Sequence, residues 1–332
     1  MRGRGLSMPG AFFKWIDCTD KTRPRDLRRP DDTILRLAQL TDLHVPGEVE
    51  LVSRLRDLIS PHVSLQNISH EISAISNEVG HHYRSTRKLY NGLVRKTLVG
   101  LHRLGVDHLV ITGDLVHCGL AEEFLDVRAA LEVTGWWGEE RLTVIPGNHD
   151  RFNIYESYPS EPMEHFFPVV TPREPMLKEL PGGVALLALD SNRDPIDDRH
   201  YLERWLPNTV GRIYPEALDW IERHRAQVEG RRLVTLLHHH ISSDWHPRSA
   251  AKSFGGLMEP ADGADELIEA IDLIDPYSLI LHGHKHDVMP VDYALGTHQL
   301  GNPGGFANAL RFNVIDFNVH GEQVMTQLEL RP

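Results

Sequence analysis

Thr143-Val-Ile-Pro-Gly-Asn-His-Asp150 is the stretch on which the reading of this chain turns. The run from Thr143 to Ile145 stops at Pro146-Gly147, where proline lacks an amide hydrogen and glycine accepts turn conformations. Three polar side chains then follow without a break. Asn148 offers a neutral oxygen, His149 gives or takes a proton near neutrality, and Asp150 supplies a carboxylate able to orient that histidine. Three such groups on one tight turn suit metal-assisted hydrolysis. A strand closed by a solvated turn has the same local sequence, so the decision rests with the other strand ends.

Those ends repeat the pattern. Ile34-Leu-Arg-Leu-Ala-Gln-Leu40 reads as a strand and runs into Thr41-Asp42-Leu43-His44, where alternation puts Asp42 and His44 on one face. His108-Leu-Val-Ile-Thr112 leads to Gly113-Asp114. Leu233-Val-Thr-Leu-Leu237 ends in His238, His239 and His240, and Tyr277-Ser-Leu-Ile-Leu281 ends in His282-Gly-His284-Lys-His286. On an extended segment His284 and His286 face one way and Lys285 the other. Five short apolar runs, each halting at metal-competent residues, point to a ligand site at the carboxyl ends of strands.

Helical patterns separate these runs. Leu51, Leu55 and Leu58, then Ile68, Ile72, Ile75 and Val79, recur at helical spacing across residues 48–104, with Pro61 a break. This is long for one crossover, and predicts a helical insertion at about 48–90, either a lid or an interface. Helices are expected over Glu122–Leu131, Pro215–Val228 and Ala264–Leu273, and a proline-rich loop over 151–182. Val184–Leu189 reads as another buried strand, and the end of the chain alternates strands and turns, with strands over Val288–Tyr293, His298–Leu300, Leu310–Phe317 and Val324–Leu330. Residues 1–33 read as an irregular N-terminal arm, and 34–332 as one domain.

At 332 residues the chain can bury a large core, and 41% hydrophobic with 25% charged residues is ordinary for a globular protein. A net charge of -12 argues against a broadly basic nucleic-acid surface without excluding a local groove. The two cysteines, Cys18 and Cys118, make no disulfide framework and suit a reducing cytoplasm. No apolar run is long enough for a membrane span, and Lys14 and Asp17 interrupt any signal-peptide core. Met8 is an alternative start.

Asp42-x-His44, Gly113-Asp114, Gly147-Asn-His-Asp150, a histidine after a strand, and Gly283-His-x-His286 stand in the order of the calcineurin-like metallophosphoesterase superfamily, which the chain resembles over about residues 34–318. The Gly-Asn-His-Asp form looks most like the cyclic-nucleotide phosphodiesterase and glycerophosphodiesterase branch. The resemblance implies an α/β fold, a four-layer αββα sandwich of two mixed β-sheets flanked by helices. It implies that Asp42, His44 and His286 hold one metal, that Asn148, His238 and His284 hold a second, and that Asp114 bridges both. His238 is the first of its histidine run and aligns best, with His239 as the alternative. His149 is left to meet the phosphate and protonate the leaving oxygen, with Asp150 setting its tautomer. His117 and His282 depart from the family pattern, and packing or support of the ligands is expected of both.

The implied activity is hydrolysis of a small phosphodiester by a hydroxide bridging two metals. A nuclease or phosphomonoesterase is the alternative on the same scaffold, and a non-catalytic binding protein the alternative from another class. Nitrogen and oxygen donors without cysteine suit Mn, Fe, Zn or Co. The expected partner is a small phosphate ester, with a homo-oligomer possible in principle and a cytoplasmic location.

Overall fold

The computed structural model describes residues 14–17, 27–45, 83–117, 119–151, 163–192, 211–242, 260–286, 288–306 and 310–331. In chain order its strands are β1 (Lys14–Asp17), β2 (Thr33–Leu40), β3 (His108–Thr112), β4 (Leu142–Ile145), β5 (Met176–Leu180), β6 (Val184–Ala188), β7 (Arg232–Leu236), β8 (Leu279–Leu281), β9 (Ala294–Leu295), β10 (His298–Gly301), β11 (Arg311–Asn318) and β12 (Gln323–Arg331). They form two six-stranded mixed sheets, ordered β1-β12-β11-β2-β3-β4 and β5-β6-β7-β8-β10-β9. The strands β2, β3 and β4 are parallel, as are β6, β7, β8 and β10.

Alternation along these strands sorts side chains between separate cores. In β3, Leu109 and Ile111 join one apolar cluster with Leu98, Phe124 and Leu131 of the helices α1 (Tyr83–Arg103) and α2 (Ala121–Val133). Between them Val110 faces the other way, meeting Leu186, Val234 and Leu236 of the second sheet. On the far side of that sheet, Leu187, Leu233 and Ile280 pack with Ile221, Leu267 and Ile271 of the helices Pro215–His224 and Ala264–Asp272. The result is helices, sheet, sheet, helices, the four layers expected. Strands covered on both faces are apolar throughout, and that explains why β3 and β7 read as continuous runs.

A chain of amides crosses the inter-sheet core just below the parallel strand ends. Gln39 Nε2 donates to Thr112 Oγ1 (3.1 Å) and to the His282 carbonyl (3.0 Å), and Asn313 Nδ2 donates to Gln39 Oε1 (2.9 Å). Buried amides left unpaired are costly, so each is matched, and the match ties β2 and β11 to the end of β8.

Three sequence expectations are corrected. Residues 14–17 lie within the segment read as an irregular arm, yet they pair antiparallel with β12 as an edge strand. The strand β5 falls inside the stretch read as loop. It is a partly exposed edge strand paired with β6, so it carries no apolar run to announce it. The expected strand Val288–Tyr293 is absent as such: Pro290 starts a turn closed by Tyr293 N–H donating to its carbonyl (3.1 Å), and pairing begins at Ala294. The 48–82 part of the expected helical insertion, and with it the choice between lid and interface, lies outside the described residues, as does Cys118. Among the described residues no helix is long and apolar enough to cross a membrane.

Candidate metal centre

The parallel pairing of β2 and β3 continues past both strand ends. Asp42 N–H donates to the Gly113 carbonyl (3.0 Å), His44 N–H to Asp114 (2.9 Å), Val45 N–H to Leu115 (2.9 Å), and His117 N–H back to Val45 (3.2 Å). This irregular ladder holds Asp42, His44, Asp114 and His117 together. Its backbone is not that of a strand. Asp42 (φ 51), His44 (φ 43), Asp114 (φ 52) and His284 (φ 68) all lie in the left-handed region, and they are four of the five non-glycine residues that do so among the described residues. Such a conformation costs on the order of 1–3 kcal/mol per residue and persists where surrounding structure enforces it, typically at functional sites. The strand alternation that was expected to aim Asp42 with His44, and the extended segment expected for His284 and His286, are therefore corrected: left-handed turns aim these side chains, and Lys285 between them is buried.

The donor atoms converge in two groups. Asp42, His44, Asp114 and His286 each offer a ligand atom within 4.8 Å of all the others. Within this group His286 Nε2 is 3.2 Å from Asp42 Oδ1 and 3.0 Å from His44 Nε2. In the second group Asn148 Oδ1 is met by His238 Nε2 (3.0 Å) and His284 Nδ1 (2.9 Å). Asp114 Oδ2 stands between the groups, 3.6 Å from His44 Nε2 and 3.4 Å from His238 Nε2.

Glycines make room for this. A Cβ on Gly283 would lie 2.0 Å from Thr41 Oγ1 and 2.7 Å from Asp42 Oδ2, and one on Gly147 would lie 2.3 Å from both the backbone nitrogen and Oδ1 of Asp114. The glycines of the sequence motifs are thus clearances for the donors beside them.

Charge is concentrated here. Asp42 and Asp114 are fully buried. Burial opposes their ionisation, but His286 beside Asp42, and His238 and His149 beside Asp114, hold both carboxyls below their usual range. Burial works against the His238 imidazolium too, and Asp114 outweighs it, holding this pKa at about 9. His44 and His284 are pushed down, first by burial and then by neighbouring histidines.

The remaining predicted residues separate in role. His149 N–H donates to Asp114 Oδ1 (2.8 Å), and its ring Nδ1 lies 2.8 Å from the His117 carbonyl. A carbonyl only accepts, so Nδ1 carries the proton of the neutral ring. The sequence assigned Asp150 to set the His149 tautomer. Its carboxylate accepts from Gly147 N–H (2.9 Å) and Val116 N–H (3.1 Å), because the short helix Asn148–Arg151 turns it back onto the backbone. Burial, then the Asp114 charge, raises its pKa to about 7. In the histidine run, His238 reaches the donors, and its Nδ1 sits 2.8 Å from the Thr112 carbonyl; His239 Nδ1 instead meets Ser191 Oγ (2.9 Å). The sequence set His117 aside, yet its imidazole forms a third cluster with His44 and His149. Its position three residues after Asp114 was the available signal.

The donor set fits a pair of metal ions. Two buried carboxylates share one cluster, faced by imidazoles, and bound cations would supply the compensating charge. His44 Nδ1 is buried with no hydrogen-bond partner, which leaves Nε2 as the nitrogen turned to the carboxylates.

Comparison with known proteins agrees with this geometry. The calcineurin-like phosphoesterase family matches residues 35–288. Among solved structures, a dimetal phosphatase from Danio rerio is similar at a TM-score of 0.54 and 11% identity, over 90% of this chain and 97% of that one, a likeness of fold. A sulfate thiohydrolase, SoxB, from Thermus thermophilus gives a TM-score of 0.47 at 14% identity, over 91% of this chain and 57% of that one. A comparison with curated proteins gives no match. With its family match spanning most of the sequence, its four-layer fold and its convergent donors, the chain belongs to the calcineurin-like phosphoesterase family.

Proposed function

We propose that this chain, a metal-dependent phosphoric ester hydrolase by family, acts on a small phosphodiester. One observation carries the two-metal part of the reading: Asp114 Oδ2 lies between His44 Nε2 and His238 Nε2, at 3.6 and 3.4 Å, with a separate donor set behind each. Asp42, His44 and His286 would hold one ion, Asn148, His238 and His284 the other, and Asp114 both. Mn, Fe, Zn and Co all suit these donors. When bound, such ions supply Lewis acidity and a water acidic enough to attack near neutral pH.

The chain's own residues do the rest. The His117 carbonyl holds the Nδ1 proton of His149, so it is Nε2 that, when the ring carries a second proton as imidazolium, passes that proton to the leaving oxygen. Asp150 keeps the turn from Asp114 to His117 joined to the helix carrying Asn148 and His149. Preference for a diester is supported by the charges nearby. Among the described residues Arg151, on the short helix that carries Asn148 and His149, is turned to Asp190 (2.8 Å) and Glu164. A singly charged diester asks for less cationic charge than a doubly charged monoester. We also take residues 34–332 as one catalytic domain.

The test is a rate comparison on metal-loaded protein. Bis(p-nitrophenyl) phosphate is expected to turn over faster than p-nitrophenyl phosphate, with cyclic nucleotides, glycerophosphodiesters and single-stranded DNA compared in parallel. Faster monoester hydrolysis would replace this reading with a phosphomonoesterase, and selective DNA cleavage with a nuclease.

A further inference from the structure

We propose that Asn302 is a positioning residue for the metal centre, its side-chain amide bracing the turn that sends His284 into one donor group and His286 into the other. The proposal rests on the metal-dependent reading above and adds a residue that belongs to neither donor group.

The segment it braces is strained. Lys285 N–H donates to the Gly283 carbonyl (2.8 Å) across His284, whose φ is 68. A three-residue turn with positive φ at its centre is the rare, strained form of the γ-turn, and a histidine there needs support from outside the turn. Asn302, 1% exposed, supplies that support. Its Nδ2 donates to the carbonyls at both ends of the turn, Gly283 (3.2 Å) and Lys285 (2.8 Å). Its own carbonyl accepts from Met289 N–H (3.0 Å), so the chain is gripped again beyond His286.

The other end of the same amide fixes the loop that follows. Asn302 Oδ1 accepts from Gly304 N–H (2.8 Å), the two-residue reach by which asparagine closes turns. The chain then passes back against the site. A Cβ on Gly305 would lie 3.2 Å from Asp42 Cβ and 3.3 Å from His286 Cδ2, and Phe306 N–H donates to the Thr41 carbonyl (2.9 Å) next to Asp42. Asn302 to Phe306 thus joins the end of β10 in one sheet to the end of β2 in the other. Two donors aimed at carbonyls and one acceptor aimed at an amide are what a primary amide offers. Aspartate lacks the donors, and glutamine is one carbon longer.

The two histidines so placed serve different ions. His284 Nδ1 is 2.9 Å from Asn148 Oδ1, and His286 Nε2 is 3.2 Å from Asp42 Oδ1. One brace therefore acts on both donor groups, and its loss weakens both ions rather than one. Partners that orient metal ligands are commonly worth about 10–100-fold in affinity.

The experiment compares the full chain as wild type, Asn302→Ala and Asn302→Leu, the leucine filling the space of the amide without its hydrogen bonds. Ser278→Ala is the control. Ser278 Oγ is bonded to His298 Nδ1 (2.8 Å) where β8 and β10 begin, so its loss weakens the same two strands at the end away from the site. Mn affinity for each equivalent is read by calorimetry at a temperature where circular dichroism shows every variant folded. The visible absorption of the Co-loaded protein and the melting temperature after EDTA treatment are read beside it. Both Asn302 variants should raise the Kd of both equivalents by about 10–100-fold and alter the Co spectrum. Ser278→Ala should lower the melting temperature and leave Kd and spectrum as in wild type. In EDTA-treated wild type the Lys285 amide should already exchange slowly with deuterium, because the brace makes the turn before an ion arrives.

Unchanged Mn affinity and Co spectrum in the folded Asn302 variants would overturn the proposal. So would an equal change in Ser278→Ala, which would make the effect one of general stability. A Lys285 amide that gains protection only when metal is added would overturn it on wild-type protein alone. Each of these results, with two equivalents bound by wild type, leaves the phosphoesterase reading intact. Wild type that binds neither ion would sink that reading and the proposal together.

Discussion

His149 illustrates how backbone and side chain divide the work of one residue. Its N–H holds Asp114 Oδ1 and would survive truncation, whereas its ring alone can serve the leaving oxygen. His149→Ala should thus keep its metal content and lose about 10²–10⁴-fold in kcat, the usual worth of general acid catalysis. The loss should be smaller for a p-nitrophenyl leaving group, which departs without protonation, than for an alkyl one. Equal losses on both would remove His149 from the acid role. Gly147 makes the opposite case, since its importance is the absence of a side chain. A methyl there meets the Asp114 backbone at 2.3 Å, and Gly147→Ala is expected to destabilise by about 1–3 kcal/mol and to reduce the binding of both ions, read by unfolding and metal analysis. Far from the centre, His108 gives a pH dependence. Burial, reinforced by the charges of Lys178 and Arg141, lowers its pKa to about 4 from 6.5. It is neutral in the fold, so the unfolded chain takes up the proton first as pH falls. Its contribution is complete above pH 6.5 and is lost between about 6.5 and 4, up to about 3 kcal/mol. Urea unfolding of wild type and His108→Gln should converge or cross over that window, and a constant gap would refute the linkage.

At the scale of elements, the centre is made where strands stop. The sequence showed which runs would be strands because strands buried on both faces must be apolar, and it showed where they end because Pro146-Gly147, Gly113 and Gly283 interrupt them. It did not show the left-handed turns at Asp42, His44, Asp114 and His284, because aspartate and histidine adopt that conformation only when neighbouring chain holds them in it. For Asp42, His44 and Asp114 the ladder from residues 42–45 to 113–117 is that neighbour, and for His284 it is Asp42, whose Oδ1 accepts from His284 N–H (3.1 Å). Asp150 fastens the ladder's far end, with one oxygen on Val116 and the other on Gly147. Asp150→Asn sets an amide NH2 against a backbone N–H, and the expected result is a fall in melting temperature together with weaker metal binding. A variant that only shifted the acid limb of the pH–rate profile, at unchanged stability, would instead return Asp150 to the role of orienting His149.

For the whole molecule, donors drawn from both sheets meet only after folding: Asp42, His44, Asp114 and Asn148 follow strands of the first sheet, and His238, His284 and His286 follow strands of the second. Metal binding must then favour the packed pair of sheets over the unfolded chain. A site filled at a hundredfold excess over its Kd contributes about 2.7 kcal/mol, so Mn should raise the melting temperature and EDTA should lower it, and a melting temperature indifferent to both would count against a metal centre. The sequence by itself determined the alternation of apolar runs and helices and the identity of the residues at the strand ends, because burial on two faces and chain breaks are local properties written in residue type; the four layers came from the family resemblance those residues carry. Only the tertiary structure decided which end meets which: that His238 rather than His239 reaches Asn148, that a carbonyl of His117 rather than the Asp150 carboxylate holds His149, and that His117 joins the cluster at all. Those outcomes depend on the approach of segments far apart in the chain, where differences of a few tenths of an ångström choose the hydrogen-bond partner and residue type alone leaves several partners equally suitable.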